Sequence, residues 1–380
     1  MTYVLEIIQH VIVTILIGYL ALTNSLASYI ESLIYNETEN TEIILDESAH
    51  DTTFDKVVAV AEKYTGTIPR VLLENSEFQR AATLASKRDE NNFEIPSEID
   101  TEKVIEEALV NIYCQYKTDT HIRTTTGTGY FINTKGVILT NAHVAQFLLL
   151  EDTEDIVRDV ECVIRQGNPA KPTYKAELLY ISPTWIFENA TLIDDEAPRG
   201  TGERDYALLY VSESIVKSPL PTQFPIIPVD TNLLSHGLVG TNVLSAGYPA
   251  AKLIKNGPDA KLEPVVAESA VNTLYTFGSN YADIFSISDS PVGEQGASGG
   301  PVVHPDRYAI GLIVTKGDEI LEGTHSLRAL SLSYIDRTMI EETGFSLPQN
   351  MLGDVALRGS IFKEAIAPFL TQLLTDELRN

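Results

Sequence analysis

Between residues 109 and 335 the chain is written in short apolar stretches broken by Gly, Pro and polar clusters. Val110–Tyr116 alternates as a strand does, and so do Gly129–Ile132 and Val137–Thr140, which flank a turn at Thr134-Lys-Gly136. Further strand-like runs are Val160–Ile164, Ala176–Ile181, Ala207–Val211, Val239–Ala246, Ile284–Ile287 and Ala309–Val314. Many short strands with such turns predict an all-β barrel or sandwich. Pro219, Pro221, Pro225 and Pro228 disfavour both a helix and a central strand, and predict a linker over 214–229 between two β units, 106–213 and 230–335.

The flanks follow another period. Residues 54–90 have a helical pattern (Val57, Val58, Val60, Ala61, then Leu72, Leu73, Phe78, Ala81, Leu84), broken at Gly66 and Pro69. A polar boundary at Asn91–Pro96 precedes a short helix, capped near Asp100, over Glu102–Ala108. Residues 341–380 return to helix, with Ile361, Ala365, Phe369, Leu370, Leu373 and Leu374 on one apolar face and Pro368 expected to kink or split it.

The first 29 residues stand apart. Val4–Leu22 is mostly apolar, and Val11–Leu22 is its cleanest part. A membrane span needs about 20 apolar residues and a signal core about 7–15. Residues 1–29 therefore read as a membrane anchor, which makes the chain a single-pass membrane protein with the rest outside the cytoplasm. The alternatives are an export signal cleaved near Ser25-Leu-Ala27, giving a secreted protein, or a buried helix. The first basic residue is Lys56, so no charge bias orients the segment. Residues 30–105 form an acidic, partly helical region.

Charge narrows the partners. The chain has 27 Lys and Arg against 53 Asp and Glu, a net charge of −26. Such a polyanion is repelled by phosphate backbones, and no basic patch offsets this, so nucleic acid is excluded as a partner. Membrane contact then falls to the N-terminal segment. Two cysteines, Cys114 and Cys162, are too few for a disulfide scaffold or a Cys-rich zinc module. The histidines show no metal-ligand spacing, so neither metal nor cofactor is expected.

Three local sequences carry chemistry: Thr140-Asn-Ala-His143-Val, Arg204-Asp205-Tyr-Ala-Leu-Leu, and Gly296-Ala-Ser298-Gly-Gly-Pro301. Each alone is weak; Asp194, Asp195 and Glu196 also offer carboxylates, in what reads as a loop insertion. As a set, in the order His, Asp, Ser, they resemble the trypsin/chymotrypsin-like serine peptidases, closest to the bacterial Deg/HtrA-like branch, over about residues 107–335. Too little chain follows for a PDZ domain.

The resemblance implies a chymotrypsin-like fold of two six-stranded antiparallel barrels within 106–340, with a triad between them. His143 would act as base, Asp205 as its orienter and Ser298 as nucleophile. The N–H groups of Gly296 and Ser298 would form the oxyanion hole. Val292 falls at the specificity position, where members that cut after Lys or Arg have a carboxylate. Cleavage after small or medium apolar residues is therefore expected, with Asp289 the nearest challenge. Thr315, Lys316 and Gly317 lie on the strand that would pair with an extended peptide. Ala297 replaces the Asp that pairs with a newly cut N-terminus in proteolytically activated members. In this barrel type Cys114 and Cys162 lie on neighbouring strands, compatible with a disulfide or with two buried thiols. The expected function is a serine endopeptidase acting on proteins or peptides. The alternatives are an inactive fold serving as a peptide-binding module and an esterase-like hydrolase, the latter opposed by the His-Asp-Ser order and the missing strand–turn–helix context.

Overall fold

The computed structural model describes residues 70–71, 100–117, 122–151, 153, 158–193, 195, 200–250, 261–288, 290–293, 295–316 and 326–379. The expected membrane segment (1–29) and nearly all of the acidic region up to residue 99 lie outside them. Among the described residues, no helix is long and apolar enough to cross a membrane.

Six strands close a first antiparallel barrel: β2 (Leu109–Lys117), β3 (Ile122–Asn133), β4 (Val137–Thr140), β5 (Arg158–Gln166), β6 (Lys171–Ile181) and β7 (Ala207–Ser214), in the order β2-β3-β4-β7-β6-β5. The second uses β8 (Asn242–Gly247), β9 (Val265–Thr276), β10 (Ile284–Ile287), β11 (Pro301–Val303), β12 (Ala309–Lys316) and β13 (Leu327–Ser331). Their order is β9-β10-β13-β12-β11-β8, closed by pairing of β8 with β9. A two-residue strand, β1 (Arg70–Val71), adds to β9 opposite Thr276 and Tyr275. The sequence pattern placed these two residues at the break between helical pieces. Two residues show no periodicity, and here the partner edge decides their conformation.

Alternate residues of the first barrel enter different cores. Val110, Ile112, Phe131, Ile138 and Leu209 face the barrel interior. Leu109, Tyr130, Leu139 and Leu208 face outward into a second cluster shared with Ala246, Tyr248, Leu312 and Leu330 of the other barrel. Both faces are thus buried, which is why Ala207–Val211 is apolar throughout. Each Leu-sized side chain buried in this seam contributes about 1.5–3 kcal/mol. The proline-rich linker crosses the seam as an extended ribbon: Phe224 and Ile227 donate their N–H groups to Thr134 and Phe131 of the first barrel, and Asp230 donates to Ala309 of the second.

Helix α1 (Thr101–Ala108), N-capped by Asp100, leads into β2 and buries Ile105 and Ala108. Two short helices of the first barrel, α2 (Ala142–Ala145) and α3 (Pro183–Asn189), follow β4 and β6. After β13 come α4 (Leu332–Thr343), α5 (Leu347–Asn350), α6 (Val355–Ala365) and α7 (Ala367–Arg379). Pro368 does split the C-terminal helix. The split helix lies on the first barrel. Phe362, Leu370 and Leu374 join the first barrel's core, and Thr371 Oγ1 donates to the Leu149 carbonyl. Gly359 admits the approach, since a Cβ there would lie 2.3 Å from a ring carbon of Tyr210.

Candidate active site

The chain leaves β4 at Thr140, and the extended Asn141 starts the single turn of α2 with His143 as its second residue. Asp205 sits in the tight turn before β7, where its N–H donates to the Gly202 carbonyl. The two meet through both ends of the carboxylate. Asp205 Oδ1 accepts the His143 backbone N–H at 2.9 Å, and Oδ2 lies 2.6 Å from His143 Nδ1. Asn141 Nδ2 donates to the Asp205 carbonyl at 2.8 Å, fixing the turn from a third direction.

The Asp205 side chain is 6% exposed and that of His143 29%, so the carboxylate is shielded while the ring reaches the surface. A charge-assisted bond of this length holds the imidazole with its proton on Nδ1, leaving Nε2 as the acceptor. Asp195 lies elsewhere in the chain, beyond α3, and Asp194 and Glu196 lie outside the described residues.

In the second barrel, Ser298 is held by main chain. Gly296 and Gly299 have φ of +98° and +88°, values that side-chain-bearing residues rarely adopt. A Cβ on Gly299 would lie 1.9 Å from the Thr128 carbonyl oxygen, and one on Gly300 2.0 Å from that of Ala246. The glycines are required by close backbone approach as well as by φ. Gly299 donates its N–H to Ile313 and Gly300 to Ala297. Among the described residues, the N–H groups of Gly296 and Ser298 donate to no protein acceptor.

Thr128 of β3 joins the halves. Its N–H donates to the Ser298 carbonyl at 2.7 Å, its hydroxyl donates to the Gly296 carbonyl at 2.7 Å, and the same oxygen accepts the Tyr248 N–H at 2.9 Å. Its own carbonyl accepts from Thr140 Oγ1 at 2.7 Å. Sequence reasoning did not single out Thr128, which stands beside the equally plausible Thr124, Thr125 and Thr126. The signal was its position between Gly127 and Gly129: a Cβ on either would collide, with Val144 at 2.5 Å and with Ile138 at 2.7 Å.

Val292 is fully buried among the second barrel's core residues, near Ala297 and beside Gly247. Its N–H donates to Ser290 Oγ, which bonds Ser245 Oγ at 2.7 Å. Thr315 and Lys316 end β12, paired with Arg328 and Leu327 of β13. Gly317 and Asp289 lie outside the described residues. Cys114 and Cys162, opposite each other on β2 and β5, form a disulfide. Among the described residues, no group of three or more His, Cys, Asp or Glu side chains is placed to hold a metal.

Residues 127–312 match the family model of the trypsin-like peptidase domain. The match starts one residue before Thr128 and runs into β12, taking in His143, Asp205 and Ser298. No curated protein matches the chain.

Proposed function

The chain belongs, through the trypsin-like peptidase domain at residues 127–312, to the trypsin/chymotrypsin-like serine peptidases, and on that premise we propose that it is an endopeptidase using His143, Asp205 and Ser298. The observation that carries the reading is the two-point contact between Asp205 and His143.

A serine hydroxyl needs a base at neutral pH. His143 Nε2 takes the Ser298 proton as Oγ attacks the scissile carbonyl, while Asp205 stabilises the imidazolium through Nδ1–H. The resulting oxyanion accepts hydrogen bonds from the Gly296 and Ser298 N–H groups. Collapse expels the amine, which receives the proton from His143, and leaves an acyl-Ser298 ester. Water, deprotonated by His143, then hydrolyses the ester and restores the serine.

Substrate lies extended along the end of β12 at Thr315, Lys316 and Gly317, adding a strand by main-chain hydrogen bonds. The side chain before the cut is small or medium and apolar, because Val292 stands at the specificity position that the resemblance implies, where members cutting after Lys or Arg have a carboxylate. The disulfide supports a domain working in an oxidising compartment outside the cytoplasm, tethered by or released from the segment 1–29.

A peptide library incubated with the full chain and with a Ser298→Ala variant tests this. Cleavage enriched after Ala, Val or Leu and absent in the variant is the expected result. Cleavage after Arg overturns the specificity, and cleavage that survives in Ser298→Ala overturns the mechanism.

A further inference from the structure

The residues on either side of Asp205 are both gripped by one helix, and that helix belongs to the other half of the molecule. Arg204, immediately before Asp205, has a φ of +55°, one of two positive values among the described non-glycine residues. Its N–H donates to the Tyr334 hydroxyl at 3.3 Å. Its guanidinium donates from Nη1 to Glu342 Oε1 at 3.0 Å and from Nη2 to Glu341 Oε2 at 2.9 Å. On the other side of Asp205, the Tyr206 hydroxyl lies 2.8 Å from Thr338 Oγ1. Tyr334, Thr338, Glu341 and Glu342 all come from α4, the helix that follows the second barrel.

The two glutamates differ in setting. Glu341 is 62% exposed, a surface partner that water screens. Glu342 is 11% exposed and accepts two further bonds from the first barrel, from Ser182 Oγ at 2.9 Å and from the Tyr180 hydroxyl. Burial opposes the charge on Arg204, but the pull of Glu342, aided by Tyr334 and Tyr206, outweighs it and leaves the guanidinium more firmly protonated than usual. Helix α4 is anchored to its own barrel as well. Arg337 pairs with the fully buried Asp283, whose carboxylate also accepts from Thr276 Oγ1 and the Phe277 N–H, each at 2.8 Å. A carboxylate of the second barrel and the turn carrying Asp205 are thereby joined through one rigid helix.

We infer that Arg204 and Glu342 are positioning residues for Asp205: α4 holds Arg204 in its left-handed turn, and that turn aims the carboxylate at His143. The kinetic consequence rests on the peptidase reading above. The structural consequence, the geometry of the His143–Asp205 bond, does not.

The test uses the full chain and four variants. Glu342→Gln keeps the shape and removes the charge. Arg204→Gly accepts a positive φ without strain but lacks the guanidinium. Arg204→Lys keeps the charge without the two-armed contact. Glu177→Gln alters a comparable tyrosine–carboxylate bond, that with Tyr210, away from the site. Two quantities are read: the downfield proton resonance of His143 Nδ1–H, and kcat and KM on a peptide substrate.

In the wild type and Glu177→Gln the resonance is present and kcat is unchanged. In Glu342→Gln and Arg204→Gly the resonance shifts or disappears and kcat falls at least tenfold at constant KM, with partial recovery in Arg204→Lys. If folded Glu342→Gln and Arg204→Gly keep the resonance and kcat and lose only thermal stability, the pair is merely structural and the inference is wrong. If Glu342→Gln does not fold, Arg204→Gly decides. A wild type without peptidase activity, whose resonance is nonetheless lost in these variants, refutes the peptidase reading and leaves the positioning role standing.

Discussion

The two walls of the proposed site, one from each barrel, are built by opposite means. On the first barrel's side the reactive groups are held by side chains: the Asp205 carboxylate on His143, the Asn141 amide on the Asp205 carbonyl, and the Arg204 guanidinium on α4. On the second barrel's side Ser298 is held by main-chain bonds and by the absence of side chains at Gly296, Gly299 and Gly300. The difference separates two kinds of fragility. Changes of charge at constant shape should injure the first wall, and a single added methyl should injure the second.

The sharpest test of the first wall is Asp205→Asn. The amide preserves shape but favours the wrong imidazole tautomer, and kcat should fall about 10⁴-fold while KM and the melting temperature hardly move. Steady-state kinetics on one peptide check this, and a loss under tenfold would remove Asp205 from its role. For the second wall, Gly299→Ala brings a Cβ against the Thr128 carbonyl and demands a φ of +88° from alanine. Activity should drop about 10³-fold, through a displaced turn, while circular dichroism still reports both barrels.

Away from both walls the effects should fall on stability alone. Replacing Cys114 and Cys162 by Ala opens a loop of 48 residues and should cost about 3–4 kcal/mol in a denaturant titration, with kcat of the folded protein retained. Thr128→Val touches both walls more gently. It leaves the Tyr248 N–H and the Gly296 carbonyl without the hydroxyl they share, costing about 2–3 kcal/mol, with a fall in kcat that Asn111→Ala on the neighbouring strand β2 does not reproduce.

The smallest effect concerns alkali. Burial raises the pKa of Tyr130, Tyr180, Tyr206, Tyr248 and Tyr334 above the ordinary value of 10.0, and burial with the Glu177 bond pushes Tyr210 up to about 12. Below pH 10 both states keep these protons. Between about 10 and 12 the unfolded chain releases them and the folded chain does not, so stability should decline with rising pH across that window. Absorbance at the phenolate band should report tyrosines that ionise only on unfolding.

How far the sequence reached can be judged residue by residue. The motifs around His143, Asp205 and Ser298 were visible because their chemistry dictates local residue types: a small residue before the base, a carboxylate at a strand mouth, glycines around the serine. Most first-barrel strands were visible as short alternating or wholly apolar runs bounded by Gly, Pro and polar turns. β9 was missed, since its inner face is polar at Ser269 and Thr276. Of the apolar face expected along α6 and α7, Leu370 and Leu374 are buried but Ile361 and Phe369 are exposed, and the pattern did not tell which barrel the helices would meet. Arg204 and Glu342 are separated by 138 residues, and nothing local to either foretells the other.

The central claim is that His143 and Asp205 activate Ser298. The most direct measurement treats the full chain with a fluorophosphonate and maps the adduct by mass spectrometry, beside Ser298→Ala and Asp205→Asn. A single adduct on Ser298, absent in the first variant and formed far more slowly in the second, is the outcome expected. An unlabelled serine in the folded wild type, or equal labelling of the wild type and Asp205→Asn, would contradict the claim.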